Sequence, residues 1–183
     1  MDHLWTPWRY QYISEAKAPT GCIFCVKAAE HKDAENYIVY RGELNFILLN
    51  LYPYTAGHMM IAPYQHVATL EQSPKDALLE MMRLAQRAEI NLRAVYRPDG
   101  LNIGLNIGAS AGAGVAGHIH MHVVPRWSGD ANFMTTIGET RVMPEDLTTT
   151  YEKLVKMPWT EAKGKSRRPV VHPGQKAKGK RQK

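Results

Sequence analysis

Cysteine is nearly absent from this chain of 183 residues, occurring only as Cys22 and Cys25. Thiol chemistry is therefore confined to one C-x-x-C pair, and nothing around it has a thioredoxin-like setting, so a redox couple is not expected. Long apolar runs are missing too. No uninterrupted stretch approaches the roughly 18 residues of a membrane span, and no basic stretch leads into an apolar core at the N-terminus. The expectation is a cytoplasmic protein without membrane contact. Acidic residues are scarce where basic ones are dense: beyond Thr160, nine Lys or Arg face the single acid Glu161, so the formal charge of +6 belongs to the tail and the body sits near −2. The body itself carries no sign of a nucleic-acid surface.

Residues 161–183 scatter Gly and Pro among charges and hold almost nothing apolar to bury, the composition of a disordered extension. Such a tail can hold RNA or acidic partners through contacts that weaken with salt. It has no aromatic residue on which a base would stack, so a merely solubilising role stands beside that one. Residues 1–160 are enough for one domain with a real core, and they show no internal repeat.

Periodicity predicts strands over 37–41, 44–50, 58–62, 101–108 and 118–125. A long helix is expected between the third and fourth, with Ser73 as cap and Pro74 in its first turn. Leu78, Met81, Met82, Ala85, Ala88, Leu92 and Val95 then recur at helical spacing as core residues, until Pro98-Asp99-Gly100 ends the run. A second helix is expected after Pro144-Glu145-Asp146. This order predicts an α+β domain, an antiparallel sheet with one long and one C-terminal helix packed against it.

The most informative stretch is His118-Ile119-His120-Met121-His122-Val123-Val124-Pro125. Strand side chains alternate between faces, so the three imidazoles share one side while Ile119, Met121 and Val123 take the other. A row of imidazoles suits metal binding, phosphate binding, or nucleophilic and acid/base catalysis. Before it runs Gly108-Ala109-Ser110-Ala111-Gly112-Ala113-Gly114-Val115-Ala116-Gly117, ten residues with almost no side chain. Such a loop lets backbone approach a ligand, and its successive N–H groups make a nest for an anion, which favours phosphate; alone, it would read as a flexible surface loop. The pair Cys22 and Cys25 reads as half of a zinc site or a remnant, with His66 and His118 available to complete Cys₂His₂.

The His-x-His-x-His run resembles the signature of the histidine triad (HIT) family of nucleotide hydrolases and transferases. Asn102-Ile103-Gly104-Leu105-Asn106-Ile107-Gly108 before the loop and Pro125-Arg126-Trp127-Ser128-Gly129-Asp130-Ala131-Asn132-Phe133 after the triad agree with it. Leu4-Trp5-Thr6-Pro7-Trp8-Arg9-Tyr10 and Cys22-Ile23-Phe24-Cys25 are similar to the opening of bacterial members, especially those grouped with diadenosine tetraphosphate phosphorylases. The resemblance covers about residues 4–160, with its core motifs in 22–133.

The resemblance implies that the middle histidine, His120, attacks the α-phosphorus of a bound adenine nucleotide or dinucleoside polyphosphate and forms a covalent nucleotidyl-imidazole. It assigns the backbone carbonyl of His118 to fixing the His120 tautomer, and His122 to the phosphate oxygens or leaving group. Backbone N–H groups of Gly112, Ala113, Gly114 and Val115 would neutralise phosphoryl charge. Many members carry Gln where this chain has Gly114, four residues before His118; the phosphorylase-like members also lack it, which leans the acceptor from water towards inorganic phosphate. In zinc-bearing relatives the first triad histidine closes the metal site, which makes Cys22, Cys25, His66 and His118 the expected ligands of a structural zinc. No organic cofactor is implied. Asn50 stands where relatives hold the ribose hydroxyls with an acid, though a turn-forming Asn reads as well. Asn106 reads as a substrate contact, whereas Leu44, Phe46 and Leu48 could flank the base or sit in the core. His58 reads as structural. The resemblance implies a homodimer with one continuous sheet, or a higher homo-oligomer, as the assembly.

Overall fold

The computed structural model describes residues 21–138 and 143–160, so Leu4–Tyr10 and the basic tail lie outside the described residues. Five strands form one antiparallel sheet in the order β1-β2-β3-β5-β4, with β1 Ile38–Arg41, β2 Asn45–Leu49, β3 Met59–Pro63, β4 Gly100–Leu105 and β5 Met121–Arg126. Before the sheet come α1, Ile23–Glu30, and the single turn α2, Asp33–Asn36; α3, Lys75–Tyr96, links β3 to β4, and α4, Phe133–Thr136, and α5, Leu147–Leu154, follow β5. This is the expected α+β architecture.

Both faces of the central strands are covered, which is why β2 reads Asn45-Phe46-Ile47-Leu48-Leu49 with every residue buried. On one face Ile47, Leu49, Met59, Ile61, Met121 and Val123 pack against Met81, Leu84, Ala85, Ala88 and Leu92 of α3 and Leu154 of α5. Each large aliphatic there is worth about 1.5–3 kcal/mol relative to exposure. On the opposite face Phe46, Leu48, Ala62 and Ile38 pack against Phe24 of α1. Phe46 and Leu48 are therefore core residues, while Leu44 stays 40% exposed outside the strand.

Four sequence expectations shift. The long helix starts at Lys75 with Pro74 in the cap position and no side-chain cap bond; Ser73 instead donates its hydroxyl to the Thr69 carbonyl at 2.8 Å. Met82 is 57% exposed, and Leu84 takes the expected core place, because burial against a flat sheet selects a narrower arc of the helix than the apolar pattern spans. The ladder of β5 begins only at Met121. His118 to His120 enter it as extended chain, tied elsewhere: the Ile119 N–H donates to the Val67 carbonyl at 2.7 Å. Similarly, β4 stops at Leu105, leaving Asn106 in the connection to the small-residue loop. The C-terminal helix follows its signal, with Asp146 capping it by accepting from the Thr149 N–H at 2.7 Å.

Candidate active site

The site lies on the α1 face of the sheet, where the chain entering β5 brings three imidazoles into a row. His118 is fully buried and His120 is 3% exposed. The His120 and His122 rings meet edge to face with centroids 5.0 Å apart. Phe24 walls this row from α1, its ring 5.2 Å from that of His118 and 4.8 Å from that of His120. Burial against that wall pushes the pKa of both histidines below the ordinary imidazole value. The alternation of the extended chain thus delivers the facing that the sequence predicts, and burial favours the neutral form of both rings.

His118 joins two structures. Its Nε2–H donates to the Pro63 carbonyl at 2.8 Å, so its Nδ1 is the unprotonated nitrogen, and that atom faces Cys22 Sγ at 3.3 Å, Cys25 Sγ at 3.6 Å and His66 Nδ1 at 3.3 Å. Cys25 Sγ lies 3.4 Å from His66 Nδ1. All four ligand atoms fall within 4.8 Å of one another, a group able to hold a metal ion. The set fits a tetrahedral zinc: bonds of about 2.3 Å to sulfur and 2.0–2.1 Å to nitrogen put the ligand atoms roughly 3.3–3.8 Å apart. The Pro63 carbonyl is the outer partner that orients a ligating histidine. The carbonyl of the same His118 accepts the Nδ1–H of His120 at 2.8 Å. That bond leaves His120 Nε2 with a free lone pair.

His122 is governed by His58, which the sequence pattern marks only as a structural residue. His58, 1% exposed, receives the Tyr54 N–H on its Nδ1 at 3.1 Å, with Asn50 Nδ2 at 3.5 Å from the same atom. A neutral His58 must then carry its proton on Nε2, which meets His122 Nδ1 at 2.9 Å. His122 in turn keeps its proton on Nε2, the nitrogen turned away from His58. Burial, reinforced by His120, pushes the pKa of His122 down to about 4. The signal that could have found His58 is register: Met60 pairs with His122, so His58, two residues before Met60, lies on the same face one step along the neighbouring strand.

Asn50 takes the turn-forming role, and a contact to His58 is added to it. Its Oδ1 accepts from the Tyr52 N–H at 3.0 Å, closing an Asx turn, and its amide steadies His58. Asn106 lines a cleft of about 370 Å³ together with His122. In the loop over residues 108–117, the N–H groups of Gly112 and Ala113 close a turn onto the carbonyls of Ala109 and Gly108 at 2.9 and 3.3 Å. Val115 packs against the Phe24 cluster. Of the four expected anion donors, Gly114 and Val115 are the pair not used within that turn.

These features define the class: an α+β sheet whose site is a row of strand-borne imidazoles between a small-residue loop and an aromatic wall. The chain belongs to the histidine triad family, with residues 31–129 matching the HIT domain. It is 41% identical over 166 residues to a Mycobacterium tuberculosis protein named AP-4-A phosphorylase, covering 87% of this chain and 85% of that protein. Among solved structures, a zinc-bound histidine triad family protein from Mycobacterium smegmatis is 30% identical with a TM-score of 0.59, covering 74% of this chain and 90% of that one. A hypothetical histidine triad nucleotide-binding protein from Sulfolobus tokodaii is 27% identical with a TM-score of 0.58, covering 73% and 91%.

Proposed function

We propose that this protein is a nucleotidyl hydrolase or phosphorylase that cleaves a dinucleoside polyphosphate of the diadenosine tetraphosphate type at an α-phosphorus. The observation that carries the reading is the bond from His120 Nδ1 to the His118 carbonyl at 2.8 Å. It leaves Nε2 as a neutral nucleophile in a buried site. The Nε2 lone pair attacks the α-phosphorus, a phosphorus–nitrogen bond forms, and the bond from that phosphorus to the bridging oxygen breaks. The departing nucleoside polyphosphate keeps the bond's electron pair, and the His122 Nε2–H donates a hydrogen bond to its oxygen. Gly114 and Val115 N–H groups would face the non-bridging oxygens. Asn50 and Asn106 would contact the nucleotide. An oxygen of inorganic phosphate, or water, then displaces His120 from phosphorus and regenerates the neutral imidazole.

Inorganic phosphate is the favoured acceptor. The similarity to a protein named AP-4-A phosphorylase supports this, as does Gly114 at the place where many family members carry a Gln. Zinc held by Cys22, Cys25, His66 and His118 would supply a structural cross-link from α1 to the entry of β5. Thiols serving as ligands must stay reduced, which fits a cytoplasmic setting. The proposed assembly is a homodimer, because among the described residues β4 is an edge strand paired with β5 and its outer backbone groups suit a second copy. Sedimentation equilibrium giving a monomer at micromolar concentration would exclude it.

The decisive experiment is turnover of diadenosine tetraphosphate with and without inorganic phosphate, resolving products by anion-exchange chromatography beside His120→Ala. The expected products are ADP and ATP, formed only with phosphate. AMP and ATP without phosphate would make the protein a hydrolase. No turnover, with cleavage of adenosine 5′-phosphoramidate instead, would replace this reading with a nucleoside phosphoramidase. Wild-type activity in His120→Ala would overturn the assigned nucleophile.

A further inference from the structure

The sheet face that carries the site is covered by α1 over β1 to β3, through the Phe24 cluster; over β4 Asn102 and Gly104 are exposed, while Val124 of β5 is 7% exposed. There His122, Val124 and Arg126 point to the same side as Gly104, Asn102 and Gly100, their partners across the ladder. The cleft of about 370 Å³ runs along this floor, with Tyr54 and Thr55 contributing to it from β3's approach. Beside His122 the floor has no side chain: a Cβ added at Gly104 would meet nothing within 4 Å. Among the described residues lining this cleft, Arg126 is the single cation and there is no carboxylate.

Arg126 is held in place rather than loose. Its Nε and Nη2 donate to the two Asp130 carboxylate oxygens at 2.6 and 2.7 Å, and its Nη1 donates to Asn102 Oδ1 at 2.7 Å. Asp130 also accepts from the Trp127 N–H at 3.2 Å. The guanidinium side chain is 45% exposed, whereas that of Asp130 is 14% exposed, so the cation faces the open side and the acid sits behind it. A guanidinium carries five N–H groups, of which these contacts use three, and two remain for a ligand.

We infer that this floor seats the polyphosphate of the leaving group and that Arg126 is its anchor, making it a residue that sets specificity for leaving-group charge and length. The inference rests on the reading that the α-phosphorus is attacked beside His120 and His122. Four residue steps along the strand take His122 to Arg126, about 13 Å along the sheet. That is the reach of a chain of several phosphates and beyond the reach of one. A substrate whose leaving group lacks phosphates would occupy the site beside His122 and leave Arg126 unused.

The test measures kcat/KM of the full chain for diadenosine tetraphosphate and for adenosine 5′-phosphoramidate, in wild type, Arg126→Gln and Arg126→Lys. In parallel, calorimetric titrations in 0.15 M salt compare AMP with adenosine 5′-tetraphosphate. In Arg126→Gln the ratio of the two kcat/KM values should fall at least tenfold in disfavour of the polyphosphate. The affinity gained from the three added phosphates should fall by a similar factor, and Arg126→Lys should restore most of both. A purely structural role would depress both substrates together and leave the ratios within twofold, which would overturn the inference. If wild type cleaves the phosphoramidate and not the tetraphosphate, the dinucleoside reading fails by itself. The titrations then decide the anchor alone: a gain from added phosphates that survives Arg126→Gln overturns it, and one that is lost upholds it.

Discussion

His58→Phe isolates the hydrogen bond that sets the His122 tautomer. The substitution keeps an aromatic ring in a site that is 1% exposed and deletes the Nε2–H that meets His122 Nδ1 at 2.9 Å. It also removes the acceptor for the Tyr54 N–H. Leaving a buried acceptor unpaired costs about 1–3 kcal/mol. If that cost falls on the transition state, the rate drops about 5- to 150-fold. His122 would then be free to carry its proton on Nδ1, turning a lone pair towards the leaving group where an N–H belongs. Single-turnover kinetics on a saturating dinucleoside polyphosphate should therefore show a reduced chemical step with KM changed less than kcat. His58→Gln, whose amide can donate from nearly the same place, should recover part of the loss. A kcat for His58→Phe within twofold of wild type, in protein of unchanged Tm, would refute the tautomer argument.

Acid sensitivity follows from His122, whose pKa is pushed to about 4 by burial and by His120. Because the folded value lies below the unfolded one, its contribution to stability is complete above about pH 6.5 and fades as pH falls towards 4. Activity should stay level from pH 8 to about 5 and fall below that; a midpoint near 6.5 in the pH profile of kcat would contradict the burial argument. Metal content should approach one zinc per chain by plasma mass spectrometry and vanish in Cys25→Ser. A metal at 100 times its Kd adds about 2.7 kcal/mol, which in a domain of this size corresponds to about 5–10 °C of Tm; a Tm unmoved by chelation would rule out a stabilising ion. Gly57 has φ of +80°, and a Cβ there would lie 3.0 Å from Leu92 Cδ2 and 3.1 Å from the Tyr96 ring. Gly57→Ala should cost about 2–4 kcal/mol from the backbone and the crowding together, and urea denaturation showing less than 1 kcal/mol would mean that α3 shifts to accommodate it.

Much of the fold was legible because local patterns and global packing agree. The helical spacing through Met81, Ala85, Ala88 and Leu92 and the turn signal of Pro98-Asp99-Gly100 bound α3 closely. Asp146 announced α5 in the same way. Errors collected where another contact overrides the expected one: Ser73 bonds back to Thr69 instead of capping, and His118 and His120 precede the ladder, with His118 bonded to the Pro63 carbonyl and His120 to the His118 carbonyl.

The site divides along the same line. The sequence by itself determined that three imidazoles share a face, because strand alternation is a property of the covalent backbone, and the triad with its small-residue loop named the family. Only the tertiary structure decided which nitrogen of each ring is free. That depends on partners far away in the chain: the Pro63 carbonyl for His118, 55 residues distant, and His58 for His122, 64 residues distant. It also decided that the floor beside His122 is open at Gly104 and ends in Arg126, since the strand residues packed on Phe24 of α1 come from β1 to β3 and not from β4. Pattern sets which side a residue faces; what meets it there is set by the packing of elements that no local pattern encodes.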